Sequence, residues 1–542
     1  MLLIAASSGA HAFGLESVLE GLGIDTSKVQ WSGAQRDGAT WTLADLQAPG
    51  IRARRVSIAL GAPPQIELVD VHLDPADLIK QRTRRDAPPV PLSIEDDIEP
   101  PAELEAPREL EFAPWLLDVT ARGLRMSWRG REILRADGAR LVDGQLTVTG
   151  KMVSGTADLR EPTHVFAVGS LNLGWMKARV EAGFAKGAEW PVKLRLRQLS
   201  LRGSYVGEEP LHLPGLDFQL RRAPTHWHGQ IGLGAALVNL QAACPGSGCF
   251  VQAHLDDTPI AALLRDIEAF IRLPAVPRAH GTLNARASYQ LPNGPLTLDA
   301  ALQKFEVTNT GVDIGKLSGG MFEHPVHEAD GGVRQRTTGD DALDWIALAD
   351  IAPVLPTALK AAEDWRFDTH AGFDMRAIVE VVHDAVNEGR RWRGASTLTQ
   401  QLTKNLYLNP RDRSLHRKLQ ELLIAVELDR RLGKARQMEL YLNVVEWAPG
   451  LRGIGPAAAY YLGKDPFDLT LAEAAWLVTA LPSPRRFHKA WERDTNRQKQ
   501  RTERILKRLH QRRYIDAETY ADAMTEGIPK RCAYWPEQCP EQ

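Results

Sequence analysis

Two glutamates and a set of basic residues between positions 362 and 421 are the side chains best suited to chemistry. Glu363 lies in the segment AEDWRFDTHAGFD, residues 362–374, with Phe367 one helical turn later and His370 two turns later. Apolar and aromatic neighbours can raise the pKa of a carboxylate toward the working pH, which suits a general base. Taken alone, Glu363 could equally be a helix cap or a surface ion-pair partner.

Glu421 follows Arg417 by four residues and Lys418 by three, on one face of a predicted helix. By default this spacing indicates an intrahelical ion pair worth about 0.3–0.5 kcal/mol. Lys404 and Arg413 bracket the loop before this helix. A mobile ammonium and a planar guanidinium together suit phosphate oxygens approached from two directions, although a solvated basic loop is the simpler alternative.

Polar residues are dense at the start of another predicted helix, where they could bind sugar hydroxyls and phosphates or cap the helix, and both roles can hold together. These residues are Ser396, Thr397, Gln400 and Gln401. Asn443, near a later helix end, is either a substrate contact or a structural cap.

Helical periodicity predicts the elements that position these residues. The candidate helices cover residues 357–366, 375–388, 397–405, 414–432, 435–442, 455–461, 471–480, 494–512 and 516–525. The helix near 494–513 is strongly basic, and we expect it to be solvated or to face a membrane. Nucleic-acid binding is not expected, because no aromatic platform or groove-reading motif accompanies the charge.

Before residue 331 the pattern changes to period-two alternation, which predicts a β-rich region. Val56, Ile58 and Leu60 share one face, and Val192, Leu194 and Leu196 alternate with basic residues. One helix interrupts this region, with Thr258 as the expected N-cap. Residues 86–114 hold seven prolines and nine acidic residues, so 83–114 is expected to be a disordered acidic loop.

Charge is divided unevenly along the chain. Residues 1–356 hold 35 Lys and Arg against 43 Asp and Glu, whereas residues 357–542 hold 31 against 25. A basic region behind an acidic one indicates an anionic partner, which could be lipid phosphate, pyrophosphate or nucleic acid.

Five segments in order resemble the glycosyltransferase family 51 domain of peptidoglycan synthesis. They are residues 362–374, residues 394–408 (GASTLTQQLTKNLYL), residues 417–421 (RKLQE), residues 441–454 (YLNVVEWAPGLRGI) and residues 469–484 (LTLAEAAWLVTALPSP). Ala395 and Ala448 stand where the family often has glycine, which puts the loop shape there in doubt.

The resemblance implies an inverting transferase that polymerises lipid II into β-1,4-linked glycan and releases undecaprenyl pyrophosphate. Glu363 matches the family's catalytic base and Glu421 its second essential carboxylate. The matched substrate-binding positions are Phe367, His370, Ser396, Thr397, Gln400, Gln401, Lys404, Asn405, Arg413, Arg417, Lys418 and Asn443. No cofactor is certain, and a divalent cation, Mg²⁺ or Mn²⁺, is left open.

The expected fold class is multidomain, with a β-rich N-terminal region followed by an all-α, lysozyme-like glycosyltransferase domain. The expected divisions are a signal-like or truncated anchor segment at 1–13, the β-rich region at 14–330, a connector at 331–356, the transferase at 357–525 and a tail at 526–542. The β-rich region loosely resembles AsmA-like envelope proteins, and a generic spacer is the alternative.

The expected location is the periplasmic face of the bacterial inner membrane. Two local disulfides, Cys244–Cys249 and Cys532–Cys539, would fit an oxidising compartment. No run of 18 or more apolar residues predicts a membrane-spanning helix.

Lipid II, the growing glycan and the membrane surface are the expected partners. No serine is followed by lysine three residues later, so the transpeptidase motif S-x-x-K is absent and a separate penicillin-binding transpeptidase is left open as a partner. The competing functions are a lytic muramidase and an envelope lipid-transfer or scaffold protein with an inactive transferase domain.

Overall fold

The computed structural model describes residues 26–48, 51–59, 65–74, 118–128, 131–161, 163–203, 207–223, 226–244, 249–291, 294–328, 331–389, 394–492 and 496–527. The chain divides into two compact units. The first comprises Met1–Thr258 and Leu283–Asp299, and the second comprises Pro259–Thr282 and Ala300–Gln542. The predicted anchor segment 1–13, the acidic loop 83–114 and the pair Cys532 and Cys539 lie outside the described residues.

The first unit is built from strands, as the period-two pattern predicts. Its strands are β1 (Gly33–Asp37), β2 (Thr40–Ala48), β3 (Ile51–Ala59), β4 (Gln65–Leu73), β5 (Asp118–Trp128), β6 (Arg131–Val142), β7 (Gln145–Thr149), β8 (Val153–Asp158), β9 (His164–Asn172), β10 (Met176–Ala185), β11 (Val192–Gly203), β12 (Gly207–Leu213), β13 (Leu216–Arg222), β14 (Trp227–Leu233), β15 (Ala236–Ala243) and β16 (Cys249–Pro259). Together with β17 (Arg278–Leu291) and β18 (Leu296–Thr308), they make an eighteen-stranded sheet within the described residues.

Neighbouring strands of this sheet pair mainly antiparallel, and β4 with β5 is a parallel pair. Val56 and Ile58, expected on one face of a strand, are both buried beside Trp41 and Leu43. In β11 the basic residues Lys193 and Arg195 are exposed between half-buried aliphatic neighbours. Cys244 and Cys249 form a disulfide at the loop between β15 and β16.

The second unit is mainly helical. Its helices are α1 (Ile260–Ile271), α2 (Val354–Glu363), α3 (Met375–Asn387), α4 (Leu398–Tyr407), α5 (Leu415–Arg431), α6 (Lys434–Val444), α7 (Ile454–Leu462), α8 (Leu471–Val478), α9 (Pro484–Glu492), α10 (Asn496–Gln511) and α11 (Ala517–Glu526). Within the described residues, no helix is both long enough and apolar enough to cross a membrane.

The expectation of an all-α C-terminal domain is wrong. The second unit contains the antiparallel hairpin β19 (Met321–His327) and β20 (Val333–Gly339), and a smaller pair, β21 (Glu446–Ala448) with β22 (Leu451–Arg452). Phe322 and Val326 of β19 belong to the same buried core as the helices. The predicted divisions place β19 in the β-rich region and β20 in the connector at 331–356, because alternation shows a strand's type but not which core it joins.

Helix α9 was not predicted, because Pro482 and Pro484 indicate a break in the chain. Pro484 instead occupies the first position of the helix, where proline's missing N–H costs no hydrogen bond. Phe487 and Trp491, one turn apart, then bury against Tyr461, with ring centroids 5.2 and 5.0 Å away. Helix α1 begins after Pro259, and no side chain caps it.

His324 should make the stability of the second unit depend on pH. Its side chain is fully buried, and neither ring nitrogen has a hydrogen-bond partner among the described residues. Burial, with the charges of Arg452 and Arg336, lowers its pKa to about 4. Because the unfolded chain binds this proton more readily, the stabilisation is complete above about pH 6.5 and is lost as the pH falls toward 4.

We expect the protonation of His324 to lower the free energy of unfolding by about 3 kcal/mol between those limits. Urea denaturation of the wild type and His324→Leu at pH 4.5 and 7 measures the effect, and the variant should depend less on pH. His383 is exposed, so His383→Gln serves as the control, and the pH dependence of its stability should match that of the wild type. Equal pH dependence in His324→Leu and the wild type would contradict the prediction.

Candidate active site

Glu363 is the last residue of α2, and the next residue fixes its position. Asp364 is 7% exposed, and its carboxylate accepts a hydrogen bond from the backbone N–H of Leu398, 2.8 Å away. The same carboxylate lies 2.9 Å from Nε2 of His370. One buried acid therefore joins the end of α2, the turn that follows it and the first residue of α4, where the helix dipole favours a negative charge.

Gln401 holds the Glu363 carboxylate directly. Its Nε2 donates to Oε2 of Glu363 at 3.1 Å, and its Oε1 accepts from the buried hydroxyl of Tyr441 at 2.9 Å. Because a tyrosine hydroxyl occupies the amide oxygen, the amide nitrogen is the group presented to Glu363. Tyr441 was not identified from the sequence.

Burial raises the pKa of Glu363 above its ordinary value. The hydrogen bond from Gln401 and the charge of Lys404 act in the opposite direction, followed by Arg508 and Arg501. Burial has the larger effect, so the carboxylate is more basic than an exposed glutamate. A group of this kind can accept a proton near neutral pH.

Glu363 opens into a cavity of about 190 Å³ whose polar wall comes from α10. Its lining residues are Ala362, Glu363, Val478, Thr479, Pro482, Arg501, Arg504, Ile505 and Arg508. The sequence pattern predicted only a solvated or membrane-facing basic helix here. Three of its arginines instead share a cavity with the candidate base, which no motif in the sequence indicated.

Glu421 has a different environment. It is 2% exposed on α5 and forms ion pairs with Arg417 and Lys418, one turn before it. Lys418 also donates to Oγ of Ser396 at 2.9 Å, which links α5 to the segment before α4. A carboxylate held by two cations is well suited to position those cations.

Lys404 lies within electrostatic reach of both glutamates. Burial lowers its pKa, the negative charge of Glu421 opposes that shift, and the charge of Glu363 does so more weakly. No side chain among the described residues hydrogen-bonds to its ammonium group. Asn405, the next residue, donates to the backbone carbonyl of Gln401 at 2.8 Å. Arg413 is exposed on the loop between α4 and α5.

Several predicted substrate-binding residues are engaged within the protein. Thr397 and Gln400 form the capping box of α4. Phe367 is a core residue, 2% exposed. Asn443 accepts from the backbone N–H of Ile346 and donates to two carbonyl oxygens, so its amide is fully used. Their contact with a substrate stays a prediction.

The two alanines at family glycine positions cause no strain, since neither Ala395 nor Ala448 has a positive φ. The adjoining Gly394 does, at +101°. Gly372 is also required, because its φ is +83° and an added Cβ would lie 2.5 Å from the carbonyl oxygen of Ala425.

Across the described residues, no three His, Cys, Asp or Glu side chains are grouped as a metal site would need. The expectation of Mg²⁺ or Mn²⁺ stays open.

Comparison with known proteins identifies the helical region. Residues 330–510 match the model of the family described as Transglycosylase. Residues 330–510 are therefore similar to transglycosylases. This confirms the resemblance predicted from the five segments, while the AsmA-like resemblance of the β-rich region stays a prediction.

Curated relatives match the same domain. The Biosynthetic peptidoglycan transglycosylase of Rhodopseudomonas palustris (strain HaA2) is 42% identical over 142 residues, covering 26% of this chain and 62% of the relative. That of Shewanella amazonensis is 46% identical over 140 residues, covering 26% and 56%. Penicillin-binding protein 1A of Aquifex aeolicus is 35% identical over 192 residues, covering 35% and 26%. The chain thus spans less than two thirds of the length of these relatives.

Replacing Gln401 should make Glu363 still more basic. Gln401→Leu removes the hydrogen bond that lowers the pKa of Glu363 while leaving its burial in place, so the pKa should rise further. Tyr441→Phe frees the Gln401 amide to rotate, and the pKa of Glu363 should rise by a smaller amount. Infrared titration of carbon-13-labelled glutamate, with Glu363→Gln to assign the band, measures both. A pKa that falls or stays constant in Gln401→Leu would exclude this role.

Proposed function

We propose that this protein is a peptidoglycan glycosyltransferase that polymerises lipid II into β-1,4-linked glycan strands. The observation that carries the proposal is the contrast between half-buried Glu363 and fully buried Glu421 in one unit. Glu363 has a raised pKa and opens into a cavity, whereas Glu421 is ion-paired to Arg417 and Lys418. The similarity of residues 330–510 to transglycosylases supports the same reaction.

Inversion at the anomeric carbon requires a base on the acceptor and cations on the leaving group. The 4-hydroxyl of the acceptor attacks the anomeric carbon of the donor while its proton passes to the Glu363 carboxylate. The anomeric C–O bond breaks, its electron pair goes to the pyrophosphate, and undecaprenyl pyrophosphate is released. Glu363 then loses its proton to solvent.

Lys404 is the cation best placed to stabilise the departing pyrophosphate. Its ammonium has no hydrogen-bond partner among the described side chains, so its donors are available to phosphate oxygens. Arg417 and Lys418 add positive charge beside it, and Glu421 fixes both in place. Exposed Arg413 would reach the phosphates from the loop. Glu421 thus acts by organising cations rather than by transferring a proton.

The proposed location is the periplasmic face of the inner membrane, because the substrate is anchored there by its lipid. The disulfide between Cys244 and Cys249 is compatible with an oxidising compartment. Crosslinking of the glycan would need a separate penicillin-binding transpeptidase as partner.

Incubation with lipid II in detergent, followed by gel analysis of the products, tests the function directly. We expect long glycan strands and free undecaprenyl pyrophosphate, with one lipid released for each glycosidic bond formed. Short saccharides released from preformed peptidoglycan would instead indicate a lytic muramidase. Unchanged lipid II with retained binding would indicate an inactive scaffold.

Glu363→Gln should abolish most of the synthesis while preserving binding. Glutamine keeps the size of the side chain but cannot accept the acceptor's proton, and loss of a general base typically costs about 10²–10⁴-fold in rate. Lys404→Ala should instead weaken binding of a non-reacting lipid pyrophosphate, because it removes a charge-assisted contact. Rates of glycan synthesis and binding of that analogue are measured for each variant.

The exposed Glu518 on α11 provides the matched control, since Glu518→Gln makes the same chemical change away from the cavity. It should leave both quantities unchanged. Synthesis by Glu363→Gln at the wild-type rate would mean that the base lies elsewhere.

A further inference from the structure

Helix α5 presents a second face that the mechanism above does not use. Its first face holds Glu421 with the two cations paired to it. His416, Gln420 and Glu427 lie along a stripe roughly 130° around the helix from those residues, because each residue of a helix turns by about 100°. Since the helix is one rigid element, contacts made by this stripe also fix the position of the cations on the first face.

Two short segments of the second unit contact this stripe. We call residues 270–272 and 309–313 the brace, and both parts precede the range that matches the transglycosylase family. The first part ends α1, which follows β16, and the second part follows β18. The brace therefore lies where the chain passes from the strands to the helices of the second unit.

The first part of the brace holds the beginning of α5. The ring of Phe270 meets the ring of His416 edge-on, with centroids 6.1 Å apart. The backbone carbonyl oxygen of Arg272 accepts a hydrogen bond from Nε2 of Gln420 at 2.9 Å. These contacts lie on the first two turns of α5, the same turns that carry the cations.

The second part of the brace binds the other end of α5 through a buried carboxylate. Glu427 is 5% exposed, and Thr310 is fully buried. Oε2 of Glu427 accepts from the backbone N–H of Thr310 at 2.9 Å and from its hydroxyl at 2.5 Å. Hydrogen bonds to a buried charge are strong, and the loss of one leaves that charge poorly solvated.

The backbone around Thr310 is held in place by the loop after α1. Asn309 has a φ of +62°, which asparagine tolerates better than most residues, and its side-chain amide donates to the carbonyl oxygen of Val276 at 3.0 Å. The N–H of Ala275 donates to the carbonyl oxygen of Thr310 at 3.4 Å. This arrangement directs both donors of Thr310 to one carboxylate oxygen.

The brace also contacts α4, the helix that carries Lys404. The hydroxyl of Tyr407, three residues after Lys404, donates to the backbone carbonyl oxygen of Asp313 at 2.8 Å. Cations from two helices can bind one pyrophosphate only at a fixed separation. A displacement of about 1 Å from productive geometry can cost about 10²-fold in rate. One segment that contacts both helices is suited to hold that separation.

We propose that Thr310 is a positioning residue for the cations that stabilise the leaving pyrophosphate. It acts through Glu427, which fixes α5 and with it Arg417 and Lys418. The inference rests on the proposed transferase function and deepens it. The segment before the family-matched range is then part of the working structure of the transferase and not a spacer alone.

Binding of undecaprenyl pyrophosphate, the proposed leaving group, tests this role in the full chain. Thr310→Val keeps the size of the side chain but removes its hydroxyl, so the affinity should fall about tenfold. Thr310→Ser restores the hydroxyl and should recover most of the affinity. Thr525 is exposed on α11, so Thr525→Val makes the same chemical change elsewhere and should leave the affinity unchanged. Calorimetric titration in detergent, below the melting temperature of every variant, measures these affinities.

A double-mutant cycle separates positioning from general destabilisation. If Thr310 acts by placing the α5 cations, Thr310→Val should cost less affinity when Lys418→Gln has already removed one of them. General destabilisation predicts instead that the two fold-losses multiply. The proposal is overturned if the losses multiply, if Thr310→Ser binds as weakly as Thr310→Val, or if Thr310→Val binds like the wild type.

Gln420→Ala reaches the same stripe without disturbing a buried charge, because it removes only the contact with the Arg272 carbonyl. If Thr310→Val does not fold, this variant decides the matter. Weaker binding by folded Gln420→Ala supports the brace, and unchanged binding overturns it.

The two proposals fail separately. A wild type that binds undecaprenyl pyrophosphate but makes no glycan from lipid II loses the transferase function, while weaker binding by Thr310→Val would still support the positioning role. Normal glycan synthesis by the wild type, together with unchanged binding by Thr310→Val, would keep the function and overturn the positioning role.

Discussion

The buried carboxylate of Asp364 is the constraint on which the active site depends. A charge out of contact with water is costly unless its oxygens are hydrogen-bonded, so the chain must bring Leu398 N–H and His370 to it. Meeting that requirement fixes the end of α2 against the start of α4. This places Glu363, one residue earlier, within hydrogen-bond distance of Gln401, which follows Leu398 by three residues.

This arrangement produces the separation of charge that the proposed glycosyl transfer needs. Glu363 is half-buried and has a neutral amide as its hydrogen-bond partner, so desolvation dominates its pKa. Glu421 is buried with two cations, which compensate its charge and are held in place by it. Lys404 lies between these two environments with its donors available. In the proposed mechanism, two identical side chains take different roles because of their neighbours, one as base and one as an organiser of cations.

The sequence predicted the parts of the candidate site that depend on local spacing. Glu363, Lys404 and Glu421 stand in short segments whose residue types suit the chemistry, and the helices carrying them were predicted to within a few residues. It did not predict the contact of the Tyr441 hydroxyl or the place of Arg501, Arg504 and Arg508 in the cavity wall, because both depend on tertiary packing between distant segments. The predicted boundary at 330 divides the β19–β20 hairpin for a similar reason, since alternation marks a strand but not the core it joins.

The most direct test of the account compares the rate of glycan synthesis with the titration of Glu363 itself. The pH dependence of kcat/KM reports the free enzyme's essential groups. If Glu363 is the base, the acid limb of that profile should coincide with its spectroscopic pKa, and both should move to higher pH together in Gln401→Leu. An acid limb that stays in place while the titration of Glu363 moves would show that another group accepts the proton.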